Sequence, residues 1–243
     1  MTYKVYLSSA PKPASFKKGK GIIVLEPDNY TKEQIKQIKD KGYTVLGYIS
    51  IGTIEKERPW YKKYRKYGLK RLEDWPDEVY ADVRKTNWRC FLVSRAKAIK
   101  AKGFDGWWCD NLDVYEYYPS IKMFSACKAV LKQIKKIGGY VMVNGGSRFL
   151  AKLINVGRVK NVIDGYTQEE VFSKIISYKG KGKFGKQETE ERRYYQTLII
   201  RLQDRGIGIF LLEYTTDVKL RETIRKWCKS HKASCCISGD VNL

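Results

Sequence analysis

One unit recurs along the whole chain and limits what it can fold into: a short apolar or β-branched run, a loop, then a longer amphipathic stretch. Runs at 21–26, 43–50, 78–83, 105–110, 140–144, 162–167, 207–213 and 234–238 read as strands. Stretches at 31–42, 55–67, 87–102, 121–137, 149–153, 188–205 and 219–229 read as helices. Thr31 with Gln34 three residues on forms a capping box for the first helix, and Gly42 ends it. The strands are continuous apolar runs, as expected where both faces are buried. Eight strands separated by helices point to parallel pairing through crossover connections. The expected fold is α/β, a single (β/α)₈ TIM barrel over residues 1–243, with 3–7 as a short extra N-terminal strand or a plug over one end. A doubly wound open sheet is the alternative.

Composition narrows the functional classes. With 43% hydrophobic and 13% aromatic residues the chain can build a sizeable core, which excludes wholesale disorder. No apolar run approaches the roughly 20 residues of a spanning helix. The first residues lack the pattern of a secretory signal. The expectation is a soluble monomer, cytoplasmic until released unless a signal was removed. Six cysteines without a Cys-x-x-Cys pair, and a single histidine, supply no zinc site, so neither metal nor cofactor is expected. The net charge of +22 predicts attraction to polyanions such as nucleic acid, anionic cell-wall polymers or acidic membrane surfaces. The lysines are spread along the chain, which favours a generally cationic surface over a DNA-reading element.

In such barrels the reacting groups sit at the C-terminal ends of the strands. Those ends carry Glu26 and Asp28, Ser50, Asp82, Asp110 and Asp113, Asn144, Glu169 and Glu170, and Glu213. Only 26 acidic residues stand against 48 basic ones, so acids gathered on one face run against composition. Acids ending apolar strands are partly desolvated and close together, which raises the pKa of one of them. Paired carboxylates without metal-binding histidines suit glycoside hydrolysis, where one protonates the leaving oxygen and the other attacks carbon or activates water. Aromatics near these ends, among them Tyr48, Trp60, Trp107, Trp108, Tyr115 and Tyr214, offer faces on which sugars stack.

The motifs Gly-Tyr-Ile-Ser-Ile-Gly at 47–52 with Glu55 and Arg58, Gly-Phe-Asp-Gly-Trp-Trp-Cys-Asp-Asn-Leu-Asp-Val-Tyr at 103–115, Val-Asn-Gly-Gly at 143–146 and Val-Ile-Asp-Gly-Tyr-Thr-Gln-Glu at 162–169 follow one another in this order. In this the chain resembles glycoside hydrolase family 114, the endo-α-1,4-polygalactosaminidase-like barrels, over roughly residues 20 to 216. The resemblance implies an endo-acting, retaining hydrolase of polysaccharide with Asp110 as nucleophile and Glu169 as acid/base. It implies that Asp113 and Asn144 shape the pocket, that Tyr48 contacts sugar, and that Glu55 and Arg58 stand at the rim. Asp28, Glu213 and Tyr115 join the candidate substrate-binding set from their places near strand ends. Thr53 stands where the family has an acid, which leaves one substrate contact open. Glu170 beside Glu169 is an alternative acid/base, and strand alternation lets only one of the two face the pocket.

Three other signals read as structural. Gly-Lys-Gly-Lys-Phe-Gly at 180–185 has the spacing of a nucleotide loop but no strand directly before it. It reads as a mobile basic loop, with Lys174, Lys179, Lys181, Lys183 and Lys186 open to an anionic substrate. His231 reads as a surface residue, and Cys109 faces away from Asp110 in a regular strand. The family's galactosamine polymers are polycations, so a protein at +22 suggests a neutral or anionic glycan, for instance cell-wall material cut by a phage-borne enzyme. The competing functions are an inactive glycan-binding barrel and a cationic nucleic-acid-binding protein.

Overall fold

The computed structural model describes residues 1–243. Eight parallel strands form a nearly closed barrel: β1 (Thr2–Tyr6), β2 (Gly21–Leu25), β3 (Tyr43–Ser50), β4 (Gly106–Asp110), β5 (Tyr140–Asn144), β6 (Gly165–Glu169), β7 (Gly208–Tyr214) and β8 (Ser234–Ser238). Strand order follows chain order around the ring, which a doubly wound sheet does not do. The seam between β8 and β1 is drawn together by the chain ends, where the Leu243 carbonyl accepts from the amides of Leu7, Ser8 and Ser9. Six helices pack outside: α1 (Lys32–Lys39), α2 (Thr86–Ala101), α3 (Ile121–Ile137), α4 (Ser147–Asn155), α5 (Thr189–Gln203) and α6 (Val218–Ser230). No helix is long and apolar enough to cross a membrane.

Two segments differ from expectation. The N-terminal run is neither an extra strand nor a plug: it is the first strand of the barrel, paired with β2 along its full length. The run at 78–83 lies outside the barrel. Its strand, Glu78–Ala81, pairs antiparallel with Thr53–Glu55 and Gly68–Arg71 in a separate three-stranded sheet. The reason is the connection before it. A parallel strand there needs a crossover helix, whereas 55–67 holds only the single turn Tyr61–Tyr64 and a 3₁₀ turn. β3 therefore pairs directly with β4, and the whole excursion becomes one long loop above the strand ends. The two shifts cancel in the count, so Asp110 still ends the fourth barrel strand and Glu169 the sixth.

Alternation along each strand sorts side chains into two layers. Tyr3, Val24, Leu46, Trp108, Met142, Phe210 and Leu212 fill the barrel interior. Ile23, Val45, Trp107, Val141, Tyr166 and Leu211 face the helices. Trp107 and Trp108 thus point in opposite directions. Trp108 donates to Tyr3 Oη at 3.0 Å and Thr167 Oγ1 at 3.2 Å, and Tyr3 and Thr167 are themselves 2.9 Å apart. This polar knot lies one step below Asp110 and Glu169 and is fully buried. Trp107 donates instead to the Ala96 carbonyl of α2 at 2.9 Å. Trp107→Ala is expected to lower the unfolding free energy by about 3–5 kcal/mol, the usual cost of emptying a large aromatic site. A guanidinium titration reads this directly, and an unchanged midpoint would contradict the role assigned to the ring.

Candidate active site

Asp110, Asn144 and Glu169 are the last residues of β4, β5 and β6, and all three continue inward-facing rows, Asp110 after Trp108, Asn144 after Met142 and Glu169 after Thr167. One amide nitrogen, Asn144 Nδ2, donates to Asp110 Oδ1 and to Glu169 Oε1. These bonds are 2.9 and 2.6 Å long, so end to end they hold the two oxygens within about 5.5 Å of each other. Asp110 Oδ1 also accepts from the Asn111 amide at 2.9 Å, which leaves Oδ2 without a partner. Glu169 Oε2 accepts from Tyr214 Oη at 2.7 Å. Burial pushes the Asp110 carboxyl well above its usual range, and the nearby Glu169 charge adds to the effect. Burial raises Glu169 too, opposed by its bonds from Asn144 and Tyr214. Two like charges this close favour a state in which one carboxyl holds a proton.

The loops fit around this pair through two close backbone approaches. Asn111 adopts a left-handed conformation (φ 63°), which asparagine tolerates better than most residues. Its side chain donates to Ser50 Oγ at 3.0 Å and Thr53 Oγ1 at 3.1 Å, tying the β4 turn to the end of β3. A Cβ at Gly52 would collide with the Asn111 carbonyl, so this contact requires glycine. The Gly146 amide donates to Asp113 Oδ1 at 2.9 Å. Burial, with the Glu116 charge behind it, pushes Asp113 up from 3.8 to about 7.

The strand ends open into a cleft of about 460 Å³. Eight carboxylate residues line it (Glu26, Glu55, Glu57, Glu78, Asp110, Asp113, Glu169 and Glu170) against a single cation, Arg58. Arg58 is held by two carboxylates and two aromatic rings. It bonds Glu26 at 2.9 Å and Glu55, and its guanidinium carbon sits 5.7 Å from the ring centres of both Tyr48 and Trp60. Tyr48 Oη donates to Glu55 Oε1 at 2.7 Å. Glu55 and Arg58 do not share a helical face as expected from 55–67: Glu55 ends a strand, and a turn brings Arg58 back onto it. Glu78, on the strand paired with Thr53–Glu55, has its carboxyl beside Thr53 with Oε2 buried and without a partner, and burial pushes it up to about 7. A carboxyl group from the neighbouring strand thus stands next to the position where the resemblance expects an acid. No group of three or more His, Cys, Asp or Glu side chains is placed to hold a metal ion.

Tyr48, Glu55, Arg58, Asp110, Asp113, Asn144 and Glu169 therefore meet in one cleft. Glu170 lines it too but takes a left-handed turn (φ 56°) and spends its carboxylate on the Ile175 amide, away from Asp110. Three candidates lie elsewhere. Glu213 faces the helix layer beside Leu211, where it accepts from the amides of Phe172 and Ser173 and from Ser173 Oγ. Asp28 is outside the cleft, paired with Arg95 at 2.6 Å. Tyr115 is buried between Phe124 and Phe149, with its hydroxyl bonded to Lys152. Tyr214, expected only as one of several aromatics near the strand ends, is the cleft residue one step beyond Glu213. The inward parity of Phe210, Leu212 and Tyr214 is the signal that sets it apart from the others. Trp75 and Tyr178 also reach the cleft, from excursions with no strand pattern to place them.

The sequence profile of glycoside-hydrolase family GH114 matches residues 1–238. Among curated proteins, the chain is 24% identical over 220 residues to uncharacterized protein MJ1477 of Methanocaldococcus jannaschii, covering 83% of this chain and 61% of that one. It is 23% identical over 209 residues to an uncharacterized protein of Thermotoga maritima, covering 79% and 62%. The chain thus spans about three fifths of the length of these relatives. The glycoside hydrolase domain of PelA from Pseudomonas aeruginosa shares the fold with a TM-score of 0.79 at 17% identity, over 100% of this chain and 96% of that one. Aspergillus fumigatus Ega3, in complex with galactosamine, gives a TM-score of 0.76 at 17% identity, over 99% and 91%.

Asp113 supplies a pH test of this geometry. A carboxyl raised in the folded state binds more protons there than in the unfolded chain, so stability is full below the ordinary value and falls as pH rises towards about 7. Asp113→Asn removes that titration. Denaturant midpoints measured from pH 4 to 8 are expected to fall less steeply in the variant, and parallel curves would contradict the raised value.

Proposed function

Because the chain belongs to glycoside-hydrolase family GH114, we propose that it is an endo-acting, retaining hydrolase of an amino-sugar polysaccharide, with Asp110 as nucleophile and Glu169 as acid/base. The observation that carries this reading is the shared Asn144 donor. It keeps the facing oxygens no more than about 5.5 Å apart, which suits the short separation of about 5–5.5 Å used by retaining enzymes and falls short of the 6.5–9.5 Å that leaves room for an inverting water. Glu169 in its acid form protonates the glycosidic oxygen as the free Oδ2 of Asp110 attacks the anomeric carbon. Glu169, now a carboxylate, then takes a proton from the water that releases the sugar from Asp110. Two inversions at one carbon give net retention. Asn144 holds both carboxyl groups in register throughout, and Tyr214 steadies Glu169 when it is charged.

The choice of substrate class rests on charge. The 48 basic residues give the whole chain its +22, yet the cleft carries eight carboxyl groups, several of them raised towards neutral pH by burial, and one arginine. A field of that sign attracts amino groups and opposes uronic acids or phosphates. This reverses the inference drawn from net charge alone, which favours a neutral or anionic glycan. The galactosamine bound to Ega3, a protein of the same fold, agrees with an amino sugar here. The basic exterior remains free to hold the protein on an anionic surface while the cleft works on a different polymer.

Asp110→Asn and Glu169→Gln are each expected to lower kcat on α-1,4-galactosaminan by about 10²–10⁴-fold, the usual worth of such a group. Thermal midpoints should stay close to the parent's. Product anomers followed by NMR immediately after cleavage should keep the α configuration; β products, or full activity in both variants, would refute the mechanism. Tyr214→Phe removes a hydrogen bond that favours the charged form of Glu169, so its pKa rises. The alkaline limb of kcat/KM should move to higher pH, and a limb that stays fixed or moves lower would separate Tyr214 from the acid/base.

A further inference from the structure

Two excursions from the barrel meet at the cleft, and neither takes part in the chemistry above. One follows β3 and carries Trp75 in the turn between Gly68–Arg71 and Glu78–Ala81. The other follows β6 as a hairpin of Ser173–Ser177 and Lys183–Lys186, with Tyr178 just past its first strand. The two rings touch edge to face, with centres 5.5 Å apart and planes at 66°. β3 and β6 stand three places apart in a ring of eight, so the contact runs across the mouth. On one side lie the ends of β4 and β5 with Asp110 and Asn144. On the other lie β7 and the chain termini with Tyr214, Leu7 and Leu243, and all of these line the same cleft as the two rings.

Little else holds the crossing shut. Neither ring has a hydrogen-bond partner, no ion pair joins the two excursions, and Trp75 is 47% exposed. One aromatic contact, between an exposed Trp75 and a half-buried Tyr178, is weak enough to break and re-form thermally. A long chain lying along the cleft must pass this crossing, and a closed crossing stops a mid-chain segment from being laid in from above. A short oligosaccharide, or a chain end, can still slide beneath.

We propose that Trp75 and Tyr178 form a latch across the cleft, which parts to admit an internal stretch of polysaccharide and then offers both ring faces to its sugars. The pair therefore determines whether attack falls within a chain or is confined to its ends. The inference rests on the hydrolase reading above and adds to it the residues that control polymer entry.

The test locks the latch. Trp75→Cys and Tyr178→Cys are combined with Cys90→Ser, which removes the exposed native thiol. The new thiols are bridged by a short bis-maleimide with an internal disulfide, and the bridge is verified by peptide mass. Deacetylated α-1,4-galactosaminan and its short oligosaccharides are the probes, with the dithiothreitol-opened protein as reference. Locking should cut polymer cleavage at least about tenfold while changing oligosaccharide cleavage less than about twofold, and opening the disulfide should restore it. Equal polymer rates in the two forms, or equal losses on both probes, overturn the latch. Should neither form cleave anything, the hydrolase reading has failed and the latch is judged by binding. The opened form should then be retarded more strongly than the locked form in gels containing the polymer, and equal retardation overturns the proposal.

Discussion

Two carboxyl groups taken out of water within about 5.5 Å of each other cannot both keep full charge cheaply, and the centre of this barrel is arranged around that constraint. One amide nitrogen serves both, a backbone amide serves one and a phenol the other. None of these donors carries a net charge, so none fixes either group as an ion. The strands below must hold β4, β5 and β6 in register to keep three side chains within bonding distance. Tyr3, Trp108 and Thr167 tie β4 and β6 to β1 by a knot of hydrogen bonds one residue pair beneath the carboxyl groups, and Thr167 donates on to Met142 Sδ of β5. The floor of the site is a part of the hydrophobic core that happens to contain three polar atoms, each with partners.

Strand ends made Asp110, Asn144 and Glu169 three candidates among several, and the motif order shared with family 114 singled out Asp110 and Glu169 from them. Period-two alternation makes all three face inward. The same alternation explains the failure at Glu213. It sits at a strand end like the others, but with the opposite parity, so it enters the helix layer while Tyr214 takes the inward place. Tyr115 and Asp28 lie beyond strand ends, where parity gives no guidance, and local packing decided their direction. The strand at 78–81 is apolar enough to pass for a barrel strand. What excludes it is the lack of a crossover helix before it, a property of the connection and not of the strand. The N-terminal run is polar on its outer face, yet it pairs fully because an eight-strand ring must be completed by some strand at that edge.

Charge shows how a bulk number can mislead about a site. The +22 of the whole chain sits on long side chains that reach into water, where salt screens them within about 10 Å. The carboxylates lie in a recess whose low-dielectric walls concentrate their field. Arg58 does not offset them freely, since Glu26 and Glu55 already hold it and two aromatic rings flank it. A ligand entering the cleft meets the local sign first.

Glu213 was expected at the pocket and serves instead as an anchor behind it. Its carboxyl fastens the first residue of the hairpin through Ser173, and Ser173 Oγ in turn accepts from the amide of Tyr214. The base of the hairpin is thereby pinned to the strand whose tyrosine touches Glu169. A flap hinged at such a point swings most at its tip and hardly at all at its root. Traffic of large molecules past Tyr178 can thus occur while the atoms a few residues away hold their positions, as a door moves without shifting its frame.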